Sequence, residues 1–120
     1  MPVRSLYSSV LAWPDAKMVD QAVRRWAEEM TAERPEVLRV GYFGSYARGH
    51  WGVGSDLDLV LVVERAEEPF ERRPARWDVT RLPVPAEALV YTALEWESVA
   101  ATTRSGQALD REAVWVYEKG

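Results

Sequence analysis

Gly44-Ser45-Tyr46-Ala47-Arg48-Gly49, followed after a short gap by Ser55-Asp56-Leu57-Asp58-Leu59, is the stretch on which the fold of this chain turns. Upstream, Leu38, Val40, Tyr42 and Phe43 make an apolar run that stops at the glycine turn. Downstream, Asp56 to Val63 reads as a second strand rich in Leu and Val. Side chains two apart on a strand share a face, so Asp56 and Asp58 are expected to project together while Leu57 and Leu59 enter a core on the other side. Two carboxylates about 7 Å apart on one face repel each other unless a cation lies between them. Mg²⁺ suits the place, because it takes one or two protein carboxylates and completes its shell with water and phosphate oxygens. Two such ions can serve the two oxygens of an in-line displacement. Glycine lets a backbone approach a phosphate closely, and the N–H groups opening the turn from Ser45 to Arg48 form an anion site, to which the Ser45 hydroxyl and the Arg48 charge add. Alone, Gly-Ser is a turn and Asp-Leu-Asp the exposed face of an edge strand. Ser55-Asp56 alone is local turn chemistry. Joined at this spacing, they point to metal-dependent nucleotidyl transfer.

These residues carry a resemblance. The two segments are similar to the signature of the DNA polymerase β-type nucleotidyltransferase superfamily, and more narrowly to the minimal nucleotidyltransferases, or MNT-domain proteins, which accompany HEPN-domain toxins. The tail, with Tyr91-Thr92 and Glu95-Trp96 ahead of a closing strand, also resembles theirs. The resemblance implies a palm-like α/β fold, a mixed sheet with helices packed on it, and a single minimal domain over 1–120. It implies Mg²⁺-dependent transfer of a nucleoside monophosphate, AMP from ATP, to a tyrosine hydroxyl on a HEPN-type partner, so that the chain would act as an antitoxin. Gly44, Ser45 and Arg48 would bind nucleotide, and Asp56 and Asp58 would hold metal.

The family uses a third carboxylate on a neighbouring strand, where it binds metal and acts as general base. The run Glu87-Ala88-Leu89-Val90-Tyr91-Thr92 supplies that strand and makes Glu87 the matching residue. The family's usual residue there is Asp. Asp78, shortly before the same strand, is the reserve, and a solvated Glu87 at a strand entrance is the plain alternative. In place of the acidic residue that many relatives carry after Arg-Gly stand His50 and Trp51. His50, the only histidine, either helps bind nucleotide or is simply a loop side chain. Trp51 either stacks on a base or is a packing lid.

At 120 residues the chain can bury a core but has little room for a separate substrate domain, so its acceptor is expected from a partner or another subunit, in a homo- or hetero-oligomer. The six tryptophans, among them Trp13, Trp51, Trp77, Trp96 and Trp115, suit either a Trp-rich core or an interface. A net charge of −4 gives no basic footprint and disfavours nucleic acid as partner. The run Arg72-Arg73 and Arg76 reads as a solvated face, or else as a contact for an acidic partner or nucleotide. Absence of cysteine excludes disulfides, thiolate catalysis and cysteine-ligated zinc. With no signal peptide and no membrane-length apolar stretch, a cytoplasmic protein is expected.

The remainder reads as scaffold. Asp15 caps a helix carrying Ala16, Val19, Val23, Trp26, Ala27 and Met30 on one stripe, and Pro35 stops it. Glu64 to Pro85 reads as a loop with one short helix, the expected mobile segment and place of acceptor contact. Thr92, with Glu95 as capping-box partner, opens a helix through Thr102, and a short helix from Gln107 to Arg111 leads into a closing strand, Ala113 to Tyr117. A competing reading from another class keeps the fold but not the chemistry: a module that neutralises a HEPN-type partner by binding alone. Transfer to a small antibiotic is a third, weakened by the missing acceptor-enclosing domain.

Overall fold

A computed structural model describes residues 14–52 and 54–120. Trp13 lies outside the described residues. The first helix, α1 (Ala16–Glu33), opens where the Asp15 carboxylate accepts the Met18 N–H at 2.8 Å. Val19, Val23, Trp26 and Ala27 recur at helical spacing on its buried stripe. Strand β1 (Val37–Phe43) follows, then a single helical turn, α2 (Ser45–Arg48), and strand β2 (Leu57–Val63). The connection onward contains one 3₁₀ helix, Phe70–Arg76, and reaches strand β3 (Ala86–Thr92). Helices α3 (Ala93–Thr102) and α4 (Arg104–Glu112) and strand β4 (Val114–Glu118) close the chain.

The sheet order is β3-β2-β1-β4, with β1 antiparallel to β2 and β4, and β2 parallel to β3. This is the mixed α/β sheet with packed helices expected of a nucleotidyltransferase palm. Both faces of the sheet are covered, which is why β2 reads Leu-Asp-Leu-Val-Leu-Val-Val rather than alternating. Leu57, Leu59, Leu61 and Val63 pack with α1 and with Trp77, Leu82 and Val84 from the β2–β3 connection. Val60 and Val62 turn the other way, onto Trp96 of α3 and Leu109 of α4. Asp58 belongs to this second face, at the end the helices leave open.

The capping box at Thr92 forms as expected, with the Glu95 N–H donating to Thr92 Oγ1 at 3.2 Å and the Thr92 N–H to Glu95 Oε1 at 2.9 Å. The arginine run departs from its expected solvated face. Arg73 is buried, 7% exposed, and donates to the carbonyls of Glu68 at 3.0 Å and Val90 at 3.1 Å and to both Glu95 oxygens. Arg76 pairs with Glu68 at 2.8 Å, so of the three only Arg72 keeps the expected exposure without a partner among the described residues. The cause is the pairing of Arg73 with a carboxylate that lies far along the chain. The connecting segment is thus fastened to the sheet through Arg73, Trp77, Leu82 and Val84. Tryptophans 26, 77 and 96 lie in the two cores, while Trp115 is half-buried beneath the Arg39 guanidinium, 3.7 Å from its ring centroid. Among the described residues no helix is long and apolar enough to cross a membrane.

Candidate active site

Strand β1 delivers the chain to Gly44, whose φ of 77° and ψ of −148° lie in a region open essentially to glycine alone. A side chain there would also collide with the Asp58 carboxylate, whose Cγ stands 3.3 Å from the position of a Cβ and whose Oδ2 is closer still. The missing side chain at Gly44 is therefore what allows the turn to sit directly against Asp58. The ladder of α2 begins with the Arg48 N–H donating to the Gly44 carbonyl at 3.0 Å, and the His50 N–H caps the Ser45 carbonyl at 2.9 Å. Ser45 heads the turn with its N–H leading, as an anion cradle requires.

The return segment is braced. Trp51 lies parallel to Tyr46, with centroids 5.9 Å apart and planes within 6°. It packs as a lid on the buried Tyr46. Gly52 and Ser55 exchange bonds, N–H to Oγ at 2.8 Å and N–H to carbonyl at 2.9 Å. Asp56 follows, exposed and one residue ahead of β2 rather than within it. The β2 ladder starts only at Leu57, whose N–H donates to the Pro85 carbonyl at 2.8 Å.

Asp58 is the centre of the arrangement. It stands opposite Phe43 on one side and Glu87 on the other. Residues opposite each other in adjacent strands share a face, so Glu87 projects with Asp58. Burial raises the Asp58 carboxyl above its ordinary range, and the negative charges of Glu87 and Asp56 raise it further, while Arg48 opposes them. Of the expected residues, Glu87, Asp56 and Arg48 thus each act on Asp58 through space. Asp78 does not join them: its Oδ1 accepts the Thr80 N–H at 3.0 Å and hydroxyl at 2.5 Å, bonds that hold its carboxyl below the ordinary range. The Asp78 carbonyl accepts from Trp26 Nε1 at 2.8 Å. His50 is exposed on the return segment.

Carboxylates gathered around Asp58, whose own proton affinity is raised, fit a hard divalent ion. Among the described residues no three acidic or histidine side chains converge closely enough to enclose one by themselves. For Mg²⁺ that is no obstacle, since it completes its shell with water and substrate phosphate. Two hollows near Glu87 were not foreseen from the sequence. An apolar hollow of about 300 Å³, lined by Phe43, Leu89, Tyr91, Val99 and Leu109, lies beside the carboxylate row. A second, of about 410 Å³, runs past Glu87 along Pro74, Ala75, Val79, Ala86 and Ala88. Only the alternation Glu87, Leu89, Tyr91 along β3 signalled the first, and nothing local signalled the second.

The matched nucleotidyltransferase domain model spans residues 23–109, from the middle of α1 through α4. The chain belongs to the nucleotidyltransferase domain family. In fold it is similar to a Sulfolobus solfataricus protein provisionally named a nucleotidyltransferase and solved at 1.40 Å. That likeness has a TM-score of 0.63 over 87% of this chain and 84% of the other, at 19% identity. No curated protein matches the sequence.

Proposed function

We propose that this nucleotidyltransferase is a single minimal domain that transfers AMP from ATP, with Mg²⁺, to a hydroxyl on a protein partner, and that it serves as the antitoxin of a HEPN-type toxin. The observation that carries the transfer chemistry is the row Gly44, Asp58, Glu87: a glycine held against a carboxylate that is in register with a second carboxylate. In this reading the Ser45 N–H and hydroxyl, with Arg48, receive the β- and γ-phosphates. Asp56 and Asp58 would hold the metal, with Glu87 as a third ligand and water and phosphate oxygens completing the shell. Bound Mg²⁺, two ions in the full complement, would neutralise charge on the phosphates and the departing pyrophosphate. Glu87 takes the proton of the acceptor hydroxyl, whose oxygen forms the bond to the α-phosphorus as the bond to the β-phosphate oxygen breaks. The hollow at Leu89 lies two residues, about 7 Å, along β3 from Glu87. That is the reach from an α-phosphate to its base, and the apolar lining suits a flat ring.

The protein acceptor and the HEPN-type partner rest on the resemblance of the two signature segments. A second reading, neutralisation by binding alone, draws on Glu87, which stands where the resembling family carries Asp. One experiment separates them. Intact mass of the co-expressed partner is measured after incubation with this protein, Mg²⁺ and each nucleoside triphosphate, with Asp56→Ala as control. A nucleotide-sized gain that the control lacks supports transfer and names the donor. A stable complex with no gain would sink it in favour of the binding module.

A further inference from the structure

Among the described residues strand β3 is an edge: the sheet order pairs it with β2 alone. In a parallel ladder the N–H and C=O of one residue point to the same side, and successive residues alternate. The Pro85 carbonyl faces β2, where it accepts from Leu57, so Ala86, Ala88 and Val90 turn their main-chain groups outward. The Val90 carbonyl is already taken by Arg73 Nη1 at 3.1 Å. Among the described residues no hydrogen bond is made to the outward groups of Ala86 or Ala88. The edge is therefore hydrogen-bonded at its far half, whereas beside Glu87 its outward groups lack a hydrogen-bond partner among the described residues, half-buried at Ala86 and 8% exposed at Ala88. Bare edges are ordinarily blunted by charge or cover, because they template another strand. This one is bordered by Pro74, Ala75 and Val79, and among the described residues Glu87 is the only charge lining the hollow.

Direction supplies the second argument. In-line displacement sets the leaving and attacking oxygens on opposite sides of the α-phosphorus. If pyrophosphate leaves towards Gly44-Ser45 at the tip of β1, the axis crosses Asp58 on β2 and Glu87 on β3 and emerges at the free edge. Resting on the transferase reading above, we infer that the acceptor is an extended polypeptide segment that adds as a strand to Ala86 and Ala88. Alternate side chains of such a segment fall on the face shared with Glu87, so a hydroxyl at the right step meets its base. Among the described residues no Lys or Arg lines this hollow, which disfavours a phosphate-bearing acceptor such as nucleic acid.

The test uses the whole protein with Mg²⁺ and ATP labelled at the α-phosphate. The acceptor probe is a pool of short, proline-free peptides carrying one central Tyr, Ser or Thr among randomised positions. Ala88→Pro and Ala86→Pro each remove an outward N–H without touching the ladder to β2. The ratio of label on peptide to AMP released into water is expected to fall about tenfold in each variant. Amide exchange at Ala86 and Ala88 of the unaltered protein is expected to slow by about tenfold when the pool is added without nucleotide. Should the proline variants unfold, this exchange measurement decides. An unchanged ratio, or exchange indifferent to peptide, overturns strand addition. Label reaching water but never peptide also overturns it while leaving the transferase reading intact. Label reaching neither peptide nor water removes that reading, and this inference with it.

Discussion

Removing the more exposed partner of the Arg73–Glu95 pair should cost more than removing the buried one. The Glu95 side chain is 42% exposed and that of Arg73 only 8%. Arg73→Met frees Glu95 to be hydrated and keeps most of the apolar stem. The loss is chiefly the hydrogen bond to the buried Val90 carbonyl, about 2 kcal/mol. Glu95→Ala instead strands a guanidinium away from water with two carbonyls as its remaining partners, and it also breaks the capping box. Stripping one partner from a buried pair costs about 3 to 5 kcal/mol. Since the pair is only half buried, we take the low end, add about 1 kcal/mol for the cap, and expect a loss of about 4 kcal/mol. Urea unfolding of the two single variants and the double variant measures this. The double should lie within about 1 kcal/mol of Arg73→Met, because the stranded charge has gone with the arginine. A Glu95→Ala protein more stable than Arg73→Met, or a double equal to the sum of the singles, would refute the argument. The pair also sets an acid limit. Hydrogen bonds from Arg73, then from the Thr92 N–H, hold the Glu95 carboxyl at about 2, against an ordinary 4.5. The folded value lies below the unfolded one, so the stabilisation is complete above the ordinary value and drains away as pH falls from 4.5 towards 2. After allowance for screening of a partly exposed group, the loss is on the order of 1–2 kcal/mol. Arg73→Met should flatten that limb.

Three further outcomes are expected. Asp58→Asn should lower nucleotidyl transfer by at least about 10³-fold. Its unfolding should show stability equal to or above that of the parent at neutral pH. The Asp58 carboxyl titrates above its ordinary value in the fold, so its protonated form is favoured there and stability falls as pH rises through the folded value. Gly44→Ala should cost about 1–3 kcal/mol in backbone conformation, and it should abolish transfer by displacing the Asp58 carboxylate. Gly106→Ala drives a Cβ into the Val99 carbonyl and side chain, so α3 and α4 must part. Thermal unfolding should show a loss of about 1–3 kcal/mol.

What was legible in the sequence is what local rules encode. The glycine turn between two apolar runs, the cap at Asp15 and the capping box at Thr92 and Glu95 are all set by residues within four positions of one another, and all appear in the fold. Asp58 and Glu87 were each recognisable, but their facing register was not, because it depends on how a parallel crossover of more than twenty residues returns. Arg73 was misread as solvated for the same reason: it sits in a charge run, and its partner Glu95 lies across the crossover. Both helices after β3 were placed in sequence, yet nothing local told which sheet face they would cover. The apolar hollow they leave beside the carboxylates was therefore invisible.

The bond from Arg73 to the Val90 carbonyl has a consequence for how this chain can vary in length. A slip of β3 by one residue would turn Glu87 towards the α1 core and bring an alanine opposite Asp58, since strand faces alternate. Arg73 grips β3 three residues beyond Glu87 and so fixes the count between anchor and carboxylate. Insertions between Trp77 and Pro85 leave that count untouched provided Leu82 and Val84 keep their places in the core, whereas one residue added between Glu87 and Val90 would put the anchor and the carboxylate out of phase. Length is thus negotiable on one side of the carboxylate and fixed on the other.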